Sequence, residues 1–197
     1  MDNYLDKRIV RSKKNLKQAF LNLLVEKPFE DISISEIART ANYNRGTFYA
    51  NFHSKDALLK EIVNESLTNM LNHIRQPYRN LHTVHIKKLC PGTITLFHYF
   101  KDNEQLFKLL LSNHIQIDFR YKMAQAIEHL FIEEYEYILS DETKIQPKWL
   151  YVFRAHGITG LIIRWIEEDF YDSPHTMSEQ LLDLMTVSTE TFRVKIK

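Results

Sequence analysis

An all-α fold of about nine helices follows from three features of the sequence. Apolar residues recur at three- and four-residue spacing along most of the chain. Only 4 Gly and 5 Pro occur in 197 residues, too few for the turns of a sandwich or barrel and too few for a glycine-rich nucleotide loop. No segment alternates apolar and polar residues for long enough to specify a strand, so no strands are expected. With 44% apolar residues there is material for a real core, which excludes disorder.

The elements can be justified in order. Leu16, Ala19, Phe20, Leu23 and Leu24 form one stripe on a helix from about Arg11 to Glu26, stopped by Pro28. Ser33 and Glu36 make a capping box that starts a short helix at Ile34, with Ile37, Ala38 and Ala41 on its inner side. Asn42, Tyr43 and Asn44 interrupt the pattern before a second short helix, Arg45 to about Phe52, whose Phe48 and Phe52 face inward. Two short helices joined by three residues make a helix-turn-helix. Its core is assigned to Phe20, Leu24, Ile37, Ala38, Phe48 and Phe52. Ser54 caps a long helix that runs to Pro77 through Leu58, Ile62, Leu67, Met70, Leu71 and Ile74.

From Tyr78 to Gly92 no apolar face forms, and the segment reads as a loop or broken helix. Helices are then expected through Phe97, Tyr99 and Phe100 to Asp102, from Leu106 to Leu111, and through Phe119, Met123, Ile127, Leu130 and Phe131. Beyond Pro147 come two more, from about Lys148 to Glu168 and from about Met177 to Val194. The organisation is a head, residues 1–62, and a helical body, residues 63–197.

Charge is divided unevenly between them. Residues 1–60 hold 11 Lys and Arg against 7 Asp and Glu, whereas the remainder holds 15 against 18. Lys7, Arg8, Arg11, Lys13, Lys14 and Lys17 crowd the start of the head, a modest signal for phosphate binding. The one cysteine, Cys90, excludes an internal disulfide and a cysteine-rich zinc site and fits a reducing compartment. No run approaches about 18 apolar residues, and the start of the chain is charged, so a cytoplasmic protein is expected, neither membrane-spanning nor exported.

No catalytic constellation is present: there is no Gly-x-Ser-x-Gly, no His-Glu-x-x-His and no phosphate loop. His82 with His85, and His114 with Asp118, are isolated pairs lacking a third metal ligand. Neither an enzyme, a metal site nor a cofactor is expected.

The blocks from Phe29 to Ala38, from Arg45 to Phe52 and from Ser54 to Leu59 resemble, in correct spacing, the DNA-binding domain of TetR-family transcriptional regulators. Residues 157–165, followed by Ser173-Pro174 and an amphipathic last helix, resemble the C-terminal region of the subgroup that includes regulators of dihydroxyacetone utilisation. The turn departs from the family, which commonly has Gly-Val-Ser where Asn42, Tyr43 and Asn44 stand. Asn42 can take the positive φ that Gly supplies, and Asn44 caps as well as Ser. Tyr43 either packs between the two helices or reaches toward DNA.

The resemblance implies that the second short helix enters the major groove of a pseudo-palindromic operator. Asn44, Arg45 and Thr47 are then the candidates for base or phosphate contact, Arg45 through a bidentate fork to guanine. A solvent-facing Arg45 is the alternative. Gly46 offers bare backbone either to DNA or to a packed helix. Tyr49 reads as a phosphate donor or as half-buried core. Ser33, His53 and Lys55 complete the expected phosphate contacts, Ser33 also serving as a cap.

For the body the resemblance implies a homodimer and an apolar effector cavity. Phe97, Phe100, Phe119, Phe131 and Phe153 are the candidate cavity residues, with core filling as the plain alternative. Leu161, Trp165, Leu181 and Met185 are the candidate partner-facing residues of the last two helices, with Gly157 and Gly160 allowing close approach. The expected function is a ligand-responsive DNA-binding regulator, in this family usually a repressor released by a small molecule. The alternative is a regulator of the same fold whose body serves only dimerisation or docking of a protein partner.

Overall fold

The computed structural model describes residues 2–139, 143–187 and 189–195. Among them are nine α-helices and three short strands. The helices are α1 (Asp2–Glu26), α2 (Ile34–Thr40), α3 (Arg45–Asn51), α4 (Lys55–Arg75), α5 (Leu96–Asp102), α6 (Glu104–Leu110), α7 (Phe119–Glu134), α8 (Pro147–Glu167) and α9 (Pro174–Thr186). The chain separates into two compact units. One contains the residues up to Ser66 together with Lys108–Ile117; the other contains Leu67–Phe107 and the chain from Asp118 onward.

In the first unit, Leu16, Phe20 and Leu24 of α1 close on Ile37 of α2, Phe48 of α3 and Leu58 of α4, all fully buried. Helix α1 starts well before the expected Arg11. The added turns bury no stripe, since Lys7 to Arg11 are all exposed, and residues that favour helices simply extend it. Segment 108–117 belongs to this unit because the Phe29 N–H donates to the His114 carbonyl at 2.9 Å and His114 Nδ1 donates to the Leu24 carbonyl at 2.8 Å. Nothing in its local sequence announces those contacts.

In the second unit, α7 packs along α8, and α5 packs on α9. Its core is a run of rings: Phe100 lies 4.2 Å from Phe107, Phe107 lies 6.1 Å from Phe119, and Phe97 meets the Trp165 edge at 5.4 Å. The expectation of no strands is corrected by β1 (Thr83–His85), β2 (Tyr135–Tyr137) and β3 (Thr191–Val194), an antiparallel sheet in the order β1-β3-β2. Val84, Phe192 and Tyr137 stand opposite one another across it. Helix α9 therefore stops at Thr186, and Phe192, expected on the last helix, is a strand residue. Three or four residues are too few for a two-residue period to be distinguished from other patterns.

Candidate nucleic-acid interface

Helix α2 begins where the sequence places it. The Ser33 hydroxyl accepts from the Glu36 N–H at 3.2 Å, and Glu36 accepts from the Ser33 N–H at 3.0 Å. A bond from Lys27 at 2.6 Å, together with Ser33, holds the Glu36 carboxyl down at about 2. Ser33 is thus committed to its cap. Asn42 takes the left-handed backbone with φ 58°, closing the turn between α2 and α3. Tyr43 turns toward α1, where Asn15 Nδ2 donates to its hydroxyl at 3.2 Å, so it packs within the head.

Helix α3 presents its N-terminal end outward. Phe48 is buried against the head while Asn44, Arg45, Gly46 and Tyr49 are exposed. Asn44 Oδ1 accepts from the Thr47 N–H at 2.8 Å and from the Thr47 hydroxyl at 3.2 Å, which sets both side chains at the helix tip. Arg45 leans over Tyr49, its Nη2 donating to the phenol oxygen at 3.4 Å. A Cβ on Gly46 would meet only Asn44 Oδ1, at 3.2 Å, so no neighbouring helix explains the glycine. Tyr49 rests edge-on against Phe48 and is about half exposed, an arrangement that suits both a phosphate donor and the half-buried alternative. His53 is exposed at the end of the same helix.

Lys55 is corrected. Its ammonium donates to the carbonyls of Phe29 at 2.7 Å, Ile32 at 3.0 Å and Glu30 at 3.1 Å and lies 4.4 Å from the Phe29 ring. Three protons meet three acceptors, so this lysine ties α4 to the turn before α2 and has no donor left for a phosphate. Two further cations of the crowded arm are similarly engaged: Lys13 pairs with Glu61 at 3.0 Å and Lys17 with Glu61 at 2.7 Å. Lys7, Arg8, Arg11 and Lys14 of α1 and Arg39 of α2 stay exposed. Arg39 is not among the contacts expected from the sequence, although the helix pattern places it in the last turn of α2.

The body residues are redistributed. Phe97, Phe100 and Phe119 are buried in the packed core. Phe131 lines a small apolar cavity of about 30 Å³. Phe153, expected to line it too, is 71% exposed on the outer face of α8. Trp165 makes the opposite move: it is 2% exposed, its indole N–H donating to the Asp172 carbonyl at 3.0 Å, and it presents nothing to a partner. Leu181 is also buried, whereas Leu161 and Met185 are partly exposed. With Phe153, Gly157, Leu184 and Val187 they border an open apolar groove of about 180 Å³ between α8 and α9.

The candidate metal pairs have structural tasks. His85 bonds Thr191, His114 bonds the Leu24 carbonyl, and Asp118 caps α7 at the Tyr121 N–H. Among the described residues no group of three or more metal-ligating side chains occurs, and no helix is long and apolar enough to cross a membrane.

A helix-turn-helix whose second helix presents a capped, exposed tip is the architecture of a DNA-binding head. Residues 18–62 match the family described as bacterial regulatory proteins, tetR family, and residues 87–187 match its transcriptional regulator C-terminal region. The chain belongs to the TetR family of transcriptional regulators, a family of regulators and not of enzymes. It is 30% identical over 146 residues to a helix-turn-helix-type regulator of Haemophilus influenzae, covering 73% of this chain and 70% of that protein. It is 26% identical over 195 residues to the regulator YxbF of Bacillus subtilis, covering 94% of this chain and 47% of that protein. The chain thus spans about half the length of YxbF. Its fold is similar to that of a TetR regulator from Streptococcus agalactiae, with a TM-score of 0.62, 21% identity and 93% and 98% of the two chains covered. It is also similar to the dihydroxyacetone kinase operon activator DhaS, with a TM-score of 0.60, 20% identity and 88% and 93% covered.

Proposed function

We propose that this chain is a homodimeric, effector-responsive regulator that reads a pseudo-palindromic operator with two α3 helices. The observation that carries the reading is the exposed tip of α3, where Asn44, Arg45, bare Gly46 and Thr47 converge with no packing partner to account for Gly46. Tyr49, His53 and the N–H groups beside Ser33 flank that tip as phosphate donors, and the exposed cations of α1 with Arg39 supply the long-range attraction.

Dimerisation is supported by the outer face of α8 and α9. Trp149 and Phe153 lie one turn apart, Gly157 and Gly160 leave open space beside them, and Leu184 and Val187 face outward across the groove. So wide an apolar face is costly in water and fits an isologous four-helix contact. A dimer seated on promoter DNA excludes other proteins from it, so the regulation we propose is repression, relieved when a small molecule favours the DNA-incompetent form. The small size of the apolar cavity, about 30 Å³, favours a second reading in which the body has no effector.

Selection of duplexes from a random pool by the purified chain tests the reading. The expected product is one enriched inverted repeat with half-sites about one helical turn apart or somewhat more. A pool that stays random after repeated rounds contradicts it.

A further inference from the structure

Strand β2 places Tyr135 and Tyr137 two residues apart on the inner face of the small sheet. Both rings pack around Phe192, with centroids at 4.8 and 5.6 Å, and Tyr78 closes the cluster at 5.3 Å. Tyr135 is 2% and Tyr137 6% exposed, and neither hydroxyl has a hydrogen-bond partner in the structure. Buried hydroxyls left in that state are uncommon, because each forfeits the bond it makes to water when unfolded. Burial pushes Tyr137 up to about 12 and Tyr135 and Tyr78 well above the ordinary phenol value, so all three remain neutral donors.

A positive charge stands beside Tyr137 and Tyr78. The buried Arg154 guanidinium lies 4.2 Å from the Tyr137 ring centroid and donates from Nη2 to the carbonyls of Met185 at 2.5 Å and Thr189 at 3.2 Å. Of the neighbouring carboxylates, Glu134 at the end of α7 bears on Tyr135 but is paired with Arg75 at 2.8 and 2.9 Å, and Glu136 is exposed on the other face of β2. A pole made of donors and a cation is complementary to a group that only accepts, and a carboxylate is the compact anion of that kind.

The space next to the pole is apolar. Tyr135 lines the 30 Å³ cavity with Ile74, Phe131, Ile158, Leu181 and Met185. The last three of these also form the floor of the 180 Å³ groove, which Arg154 borders. The cavity has room for about one water molecule, whereas a benzene-sized tail needs roughly 150 Å³. Met185, an unbranched and adaptable side chain, lines both spaces, and its rotation is the movement that would join them.

We propose that the body binds a small carboxylate with an apolar, ring-sized tail, its carboxylate taken by the Tyr135 and Tyr137 hydroxyls beside Arg154 and its tail filling the opened cavity. This rests on the reading of the body as an effector sensor. The test uses phenylacetate, with 2-phenylethanol as the same tail lacking the anion, against the full chain by thermal unfolding and calorimetric titration. Millimolar phenylacetate is expected to raise the melting temperature, and the alcohol to bind roughly tenfold or more weakly. Tyr135→Phe/Tyr137→Phe deletes only unpartnered hydroxyls, so it should fold as stably as the parent yet lose roughly tenfold or more in phenylacetate affinity; the two single variants repeat the comparison. No stabilisation by phenylacetate, equal binding of the alcohol, or undiminished binding by the double variant overturns the proposal. Phenol-dependent phenylacetate binding that leaves operator affinity unchanged upholds this site and overturns the effector reading instead.

Discussion

Lys55 shows how a single side chain can look like a DNA contact and serve the fold. Its position at the start of α4 suits a phosphate, but its three carbonyl acceptors on the turn before α2 consume every proton of the ammonium. Lys55→Ala is expected to lower head stability by about 1 to 2 kcal/mol while leaving the salt dependence of DNA affinity unchanged. Denaturant unfolding and binding at several salt concentrations separate the two effects. Gly46 presents the reverse case. A Cβ there crowds only Asn44 Oδ1, so Gly46→Ala should keep the fold, since its helix propensity, better by up to about 1 kcal/mol, offsets the crowding. DNA affinity should nevertheless fall by tenfold or more if bare backbone approaches the duplex, a loss that gel-shift titration beside a melting curve would register.

Among the elements, those legible in the sequence were those with a cap or a long stripe. Ser33 with Glu36, Asn44 with Thr47, and Ser54 announce α2, α3 and α4 because a cap is a local bargain between neighbours, recorded in four consecutive residues. Strands β1 to β3 were illegible because their pairing joins residues such as Val84 and Phe192 that are remote in the chain. Phe153 and Trp165 were assigned to each other's environments because an amphipathic pattern gives the faces of α8 without saying which apolar face meets core and which meets a partner. The turn between α2 and α3 supplies a prediction at this scale. Asn42 already tolerates φ 58°, and the greater backbone entropy that Gly loses on folding offsets the strain it relieves. Asn42→Gly should therefore fall within about 1 kcal/mol of the parent in stability, whereas Asn42→Val should lose about 1 to 2 kcal/mol, as thermal unfolding would show.

At the scale of the whole molecule, the head has a cationic and polar exposed surface, and the exposed surface of the body includes an apolar face. Phe153→Glu/Leu184→Glu should yield a folded monomer, because both side chains are exposed and placing charge on them costs little until a partner covers it. Trp165→Ala should instead unfold the chain or cost about 3 to 5 kcal/mol, since it empties the core. Sedimentation with circular dichroism distinguishes these outcomes, and a double variant that remains dimeric contradicts the assigned face. The central claim is that the tip of α3 reads sequence. It is tested most directly by measuring, at one salt concentration, the affinity of the parent and of Arg45→Ala for a selected operator and for every single-base variant of it. Arg45→Ala is expected to lose about 1 to 3 kcal/mol on the selected operator and to become indifferent to one base position per half-site, with preferences elsewhere kept. A loss of equal size on every duplex, with all base preferences intact, would contradict it.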